Sequence, residues 1–313
     1  MHEFELIETY FQRPGGKGVA LGIGDDGAVL DLPNDRQLIA VVDTHVAGVH
    51  YPPQLAAADL GFRVLAVNLS DVAAMGGVPA WMTLALTLPQ PDADWLRDFS
   101  AGLFEAAAEY GIALVGGDTT AGAQTVISVQ LLGHVARDRA ITRAGCRPGH
   151  RIYVSGTPGD AAAGLALLQQ GTASHPLARR FRRPVARVEL GQAVSGIVSA
   201  AIDVSDGLCA DLQHLLRASG CGATIEQQQL PLSSDLLEHC GAARARQFAL
   251  QGGDDYELLL TVDEHNEQAL LRAANDSQVT VTCIGRAESD AGLRVTDEGR
   301  PVSADFSGYR HFA

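Results

Sequence analysis

Apolar and β-branched residues gather in runs near 38–43, 81–88, 112–116 and 124–134, alternating with polar ones in the period-two manner of strands. Between them, 57–75 and 93–110 carry apolar residues at the three- and four-residue spacing of helices. The first half therefore reads as α/β. Arg147-Pro148-Gly149-His150 interrupts the pattern, and a second series opens with a strand near 151–155. Helices near 159–170, 185–198 and 206–218 follow, then strands near 257–262 and 279–285. A chain of 313 residues accommodates about two domains. The interruption places their boundary within 137–150 and predicts domains of 1–140 and 141–313.

Composition narrows the partners. A net charge of −14 would repel a phosphate backbone over most of the surface, so nucleic acid is not an expected partner. The stretch from Asp71 to Asp92 is uncharged in between and long enough to cross a bilayer. Gly76, Gly77, Pro79 and Pro89 break it, so it reads as a helix end, a turn and a strand, with no membrane role. Five cysteines with no C-x-x-C spacing predict free, mostly buried thiols. No basic, apolar leader precedes Phe4, and a cytoplasmic location is expected. Lys17 is the single lysine against 22 arginines. Gly15-Gly16-Lys17-Gly18 fails the G-x-x-x-x-G-K-[ST] frame of a phosphate loop, and the lysine and H-R-D loop of protein kinases are missing. The arginines at 179, 180, 182 and 183 are expected on a solvated loop.

The candidate chemistry lies in the aspartates. Gly22-Ile23-Gly24-Asp25-Asp26-Gly27, Asp43-Thr44, Ser70-Asp71, Gly116-Gly117-Asp118, Asp203-Val204-Ser205-Asp206-Gly207 and Gly253-Asp254-Asp255 each set acid beside an apolar run. Such positions suggest strand ends and the loops after them, where ligands gather. Asn68-Leu69-Ser70-Asp71-Val72 and Asp203-Val204-Ser205-Asp206-Gly207 echo one another as openings of helices, which hints at a duplicated unit. By its letters Gly22–Gly27 matches G-x-G-x-x-G, but two carboxylates would repel a pyrophosphate unless cations stood between. Carboxylates on glycine-flanked turns, with substrate phosphates completing the shell, are how Mg²⁺ is usually held, and oxygen-only donors argue against zinc. Several aspartates gathered in one cleft would require such cations to offset their repulsion. Arg143 offers a bidentate clamp for phosphate.

The set of motifs resembles the thiamine-monophosphate kinase family, in the superfamily that contains aminoimidazole ribonucleotide synthetase. The resemblance spans nearly the whole chain. It includes Gly22-Ile23-Gly24-Asp25-Asp26, Asp43 to Tyr51, Val67-Asn68-Leu69-Ser70-Asp71 and Gly116-Gly117-Asp118-Thr119-Thr120. It continues through Thr142-Arg143, Gly156-Thr157-Pro158-Gly159-Asp160, Ile202 to Leu208, Gly253 to Leu258 and Gly308-Tyr309-Arg310-His311-Phe312. It implies a two-domain PurM-like fold, α/β or α+β, whose N-terminal sheet forms a barrel with that of a second copy, giving a homodimer. It implies transfer of the γ-phosphoryl group of ATP to thiamine monophosphate with several Mg²⁺ ions. Carried over by position, Asp26, Asp43, Asp71, Asp118, Asp203 and Asp206 would be metal ligands, and Asp25 an additional one. Gly117, Asp118, Arg143 and Ser205 would contact ATP; His50, Asp254 and Tyr309 would contact the thiamine moiety. Taken alone, His50 and Tyr309 read as ordinary structural residues.

An acceptor phosphate monoester is largely dianionic at neutral pH, so transfer needs no catalytic base, in keeping with a chain that has one lysine. Three positions depart from the family: Val42 where a hydroxyl is common, Asp254 where glutamate is frequent, and Arg63 for lysine. A selenophosphate synthetase would show a reactive cysteine near its N-terminus, yet the first cysteine is Cys146. A hydrogenase-maturation relative would end in cysteine, and this sequence ends His311-Phe312-Ala313. An aminoimidazole ribonucleotide synthetase and a nucleotide-binding regulator without turnover remain as alternatives. The intact Asp26, Asp71, Asp118 and Asp206 speak against the second.

Overall fold

The computed structural model describes residues 3–24, 26–302 and 308. The chain divides into two compact units, Met1–Val72 with Gly77–Asp138, and Arg139–Ala313 with Ala73–Gly76.

In the first unit a short helix, α1 (Glu3–Leu6), widens into a π-type turn over Ile7–Phe11 and is followed by a hairpin of β1 (Val19–Leu21) and β2 (Val29–Leu30). Four longer strands form an open sheet: β3 (Arg36–Val46), β4 (Val78–Leu88), β5 (Ala113–Ala121) and β6 (Val126–Ala136), in the order β3-β6-β4-β5. β6 is antiparallel to both neighbours, while β4 and β5 run parallel. The predicted alternation is visible in β6, where Ile127, Val129, Leu131 and Val135 are buried and Gln130 is exposed. Two helices, α2 (Ala57–Ala74) and α3 (Ala93–Tyr110), supply most of the rest of the core. Asp92 caps α3 by accepting from the N–H groups of Asp94 and Trp95, both at 3.0 Å. The two helices meet backbone to backbone. A Cβ on Gly61 would lie 2.0 Å from the Phe99 carbonyl oxygen, and one on Gly102 1.8 Å from that of Ala58, so only glycine fits either position.

The second unit is built on seven strands. They are β7 (Arg151–Ser155), β8 (Ala200–Asp203), β9 (Gly222–Glu226), β10 (Leu258–Val262), β11 (Val281–Glu288), β12 (Gly292–Asp297) and β13 (Arg300–Pro301), in the order β13-β12-β9-β11-β7-β10-β8. Among the described residues of this sheet, only β9 and β12 pair in parallel. Its helices are α4 (Asp160–Gln169), α5 (Pro176–Arg182), α6 (Val188–Ala193), α7 (Leu208–Ser219), α8 (Ser234–Gln251) and α9 (Glu267–Asp276). One core joins Leu208, Leu212, Leu215 and Leu216 of α7 to Ile152, Ile202, Leu259 and Ile284 of the sheet. Burying such a row stabilises by roughly 1.5–3 kcal/mol per large side chain.

Several expectations need correction. Pro184 precedes α6, which is shorter than 185–198, and α5, α8, α9, β9 and β12 were not anticipated. α8 is interrupted at Gly241 (φ 73°), so its apolar spacing does not stay in phase. Residues 68–72 do not open a helix; they lie in the last turns of α2, whereas Ser205-Asp206 does stand before α7. Of the aspartates placed at strand ends and loops, Asp43 and Asp118 sit within strands and Asp71 within α2. The arginine cluster is not a solvated loop, since Arg180 is turned onto a buried glutamate, Glu257, at 2.8 Å. All five cysteines are free, and Cys146, Cys209 and Cys221 are buried. Among the described residues no helix is long and apolar enough to cross a membrane.

Candidate active site

In the first unit the β1–β2 connection carries Asp26 exposed, and β5 carries Gly116-Gly117-Asp118 with Asp118 exposed. Both aspartates line one cleft of about 810 Å³, with Gly117, Thr119 and Phe11 among its other walls. A Cβ on Gly117 would stand 1.9 Å from the Leu84 carbonyl oxygen across the β4–β5 ladder, so this wall is bare backbone by necessity. Asp43 and His45 share one face of β3 while Val42, 62% exposed, lies on the other. Burial raises the Asp43 carboxyl above its ordinary value. Burial, then the charges of Arg63 and His50, push His45 down to about 3, so its ring is neutral at physiological pH. His50 lies in the turn after β3, and its Nδ1 accepts the Val46 N–H at 3.0 Å, which leaves Nε2 as the ring's protonated nitrogen in the neutral form. Asp71 is half-buried on α2, and Arg63 on the same helix is 1% exposed.

In the second unit β8 ends at Asp203, which is buried, and the chain turns through Ser205-Asp206-Gly207 into α7. Asp211, in the first turn of α7, accepts from the N–H groups of Ser205, Asp206 and Gly207 at 3.0, 3.1 and 3.1 Å, all through Oδ2. Asp254 lies beside this loop: its N–H donates to the Ser205 carbonyl at 2.8 Å, and its Oδ1 accepts from the Tyr256 hydroxyl at 3.0 Å. Arg143 is exposed on the segment before β7, where its carbonyl accepts from Ser219 Oγ at 3.0 Å. Asp25 and Tyr309 lie outside the described residues.

Three carboxylates that motif reading left without a role organise these loops. Asp211 is one. Asp255 is buried and accepts from Gly159 N–H at 2.6 Å and Ala161 N–H at 3.2 Å. Glu257 accepts from Arg187 at 2.6 Å, Arg180 at 2.8 Å and Ser155 Oγ at 2.6 Å. Burial opposes its charge, but Arg187, Arg180 and Ser155 outweigh burial and hold it below the usual carboxylate range. Spacing offers one signal for Asp211, an acid four residues into the helix after Gly207. Nothing in the sequence pairs Glu257 with arginines some seventy residues away.

Among the described residues no three His, Cys, Asp or Glu side chains stand close enough to enclose a metal ion. The donors come instead as singles and pairs, all oxygen, which is the set that suits Mg²⁺ completed by phosphate oxygens and water. Charge accumulation points the same way. Burial, then Asp203 and Asp206, push Asp211 up to about 8 in spite of its N–H donors, a repulsion that a divalent cation held by Asp203 or Asp206 would lessen.

Comparison with known proteins is consistent over the whole chain. The AIR synthase related protein N-terminal domain matches residues 24–135, and the C-terminal domain of the same class matches 147–298. The fold is thus that of the AIR synthase related, two-domain class. Thiamine-monophosphate kinase of Salmonella typhimurium (strain LT2) is 47% identical over 99% of this chain and 98% of its own, and that of Bacillus subtilis (strain 168) is 32% identical over 100% of both. A crystal structure of thiamine-monophosphate kinase from Stenotrophomonas maltophilia K279a superposes with a TM-score of 0.85 at 43% identity, covering 91% of this chain and 93% of that one. AaThiL complexed with AMPPCP and TMP superposes at 0.79 with 34% identity, covering 93% and 92%. The chain belongs to the thiamine-monophosphate kinase family and is a kinase.

Proposed function

We propose that the protein transfers the γ-phosphoryl group of ATP directly to the phosphate of thiamine monophosphate, giving thiamine diphosphate and ADP in the cytoplasm. The observation that carries this reading is the first unit's cleft, where Asp26 and Asp118 flank the bare backbone of Gly117. A cleft with acid on its rim and no lysine is unsuited to bare polyphosphate and suited to polyphosphate that arrives with cations. The relative solved with AMPPCP and TMP supports the same pair of substrates.

Asp26, Asp43, Asp71, Asp118, Asp203 and Asp206, with Asp25, would hold several Mg²⁺ ions, which would supply the positive charge that an in-line transfer between two anionic groups needs. Gly117 admits the nucleotide phosphates against the strand, Arg143 clamps them, and Ser205 contributes a hydroxyl. His50 presents Nε2–H to the thiamine moiety, since Nδ1 is engaged by Val46. Asp254 and Tyr309 are the further proposed contacts of the thiamine moiety. The acceptor oxygen needs no base, because a phosphate monoester is already ionised at pH 7.

The working form is a homodimer. Leu21, Val29, Leu32, Leu38, Val42 and Val49, each 38–62% exposed, lie within the first fifty residues and give that unit an apolar surface suited to a second copy.

The test is incubation with ATP, Mg²⁺ and either thiamine monophosphate or thiamine, followed by chromatography. Thiamine diphosphate forms from the monophosphate alone; product from free thiamine, or none from either, would refute the reading. Asp71→Asn is expected to abolish turnover with the circular dichroism spectrum unchanged, and full activity in that variant would remove Asp71 from the metal set.

A further inference from the structure

We propose that Asp211 is a positioning residue for phosphoryl transfer: its carboxylate shapes the Ser205-Asp206-Gly207 loop and, through that loop, sets the backbone of Asp254. The inference rests on the assignment of Ser205, Asp206 and Asp254 to ligands made above.

Three successive N–H groups converge on one oxygen of Asp211, at 3.0, 3.1 and 3.1 Å, and the side chain is 3% exposed. Consecutive N–H groups turned inward in this way make a concavity that elsewhere receives a bound anion. Here the chain's own carboxylate fills it. The loop's N–H groups are therefore committed internally, and what it offers a ligand is its side chains, Ser205 and Asp206. That division differs from a phosphate loop, whose N–H groups face the ligand.

The loop passes its shape on. The Ser205 carbonyl accepts the Asp254 N–H at 2.8 Å, and the Val204 carbonyl accepts the Tyr256 N–H at 2.8 Å. Gly253 lies so close that a Cβ there would stand 2.4 Å from the Ser205 oxygen. Asp254 and Tyr256 both adopt left-handed backbone, φ 70° and 54°, which non-glycine residues take up at a cost and keep only where neighbours hold them. These two hydrogen bonds are such neighbours. A change at Asp211 thus reaches Asp206 through one bond and Asp254 through two, although Asp211 itself meets no substrate.

The experiment compares full-length Asp211→Asn with wild type and with Leu212→Ala. The latter removes a fully buried side chain from the same helix without touching the loop, so it measures what loss of stability alone does. With Mg²⁺ present, which lessens the repulsion from Asp203 and Asp206 and so keeps Asp211 ionised, amide exchange at Ser205, Asp206 and Gly207 should rise about tenfold or more in Asp211→Asn, because a neutral oxygen accepts much more weakly than a carboxylate. With ATP and thiamine monophosphate, the half-saturating Mg²⁺ concentration should rise about fivefold or more and KM for thiamine monophosphate should also rise, with kcat at saturation changing less. In Leu212→Ala exchange should rise across α7 with both saturation constants unmoved. Asp211→Glu, which keeps the charge but displaces it by one methylene, provides the same readings should Asp211→Asn not fold. Unchanged exchange at the three amides, or saturation constants that match Leu212→Ala, would overturn the proposal. Failure of the underlying ligand assignment has a separate signature: Asp206→Asn with undiminished turnover and Mg²⁺ saturation.

Discussion

Gly117 shows how one residue can join a structural constraint to a proposed ligand contact. Its β4 neighbour leaves 1.9 Å where a Cβ would go, so Gly117→Ala must open the ladder beside Asp118. KM for ATP should rise about tenfold or more, equivalent to about 1.4 kcal/mol of binding, with the far-UV spectrum retained. An unchanged KM would mean that nucleotide does not approach this wall. The glycine pair was legible as a motif, but the reason for it was not, because Leu84 is distant in sequence and only the parallel pairing brings its carbonyl there. The same holds for His50, whose Nδ1 partner depends on the turn after β3.

At the level of elements, the Glu257 cluster joins β7, α5, α6 and β10. Ser155 ends β7, Arg180 lies on α5, Arg187 precedes α6, and Glu257 precedes β10 with its side chain fully enclosed. Removing one partner of such a buried set typically costs about 3–5 kcal/mol, so Glu257→Gln should lower the urea midpoint strongly. The pH dependence has a definite sign. A carboxylate held below its ordinary value binds fewer protons folded than unfolded, so its contribution is present above the ordinary carboxylate range and is lost as pH falls through the depressed folded value. Wild type should lose stability on acidification more steeply than Glu257→Gln; parallel curves from urea titrations at several pH values would contradict the assignment. Strands and helices with steady periodicity, such as β6 and α3, were readable from the chain. α8 was not, because Gly241 breaks its phase, and Ser70-Asp71 inside α2 has the same letters as a helix start, where Ser-Asp is ordinary chemistry.

On the scale of the whole molecule, the proposed dimer makes its own prediction. Leu38 is 54% exposed on the outward face of β3, and Leu38→Asp should shift sedimentation from dimer to monomer and lower activity, with the monomer's secondary structure intact. A wild type that sediments as a monomer at all concentrations would exclude the dimer. The amino-acid sequence by itself pointed to phosphate chemistry through acids beside glycines, and to a kinase through motifs whose order resembles one family, because residue type and spacing restrict which ions and phosphates a chain can hold. It determined most long elements too, because burial imposes a period. Tertiary structure alone decided that Arg180 and Arg187 enclose Glu257, and that Gly117 faces a carbonyl. Those contacts join residues whose partners are chosen by strand order and close packing, and no local pattern of side chains encodes which distant backbone will arrive beside them.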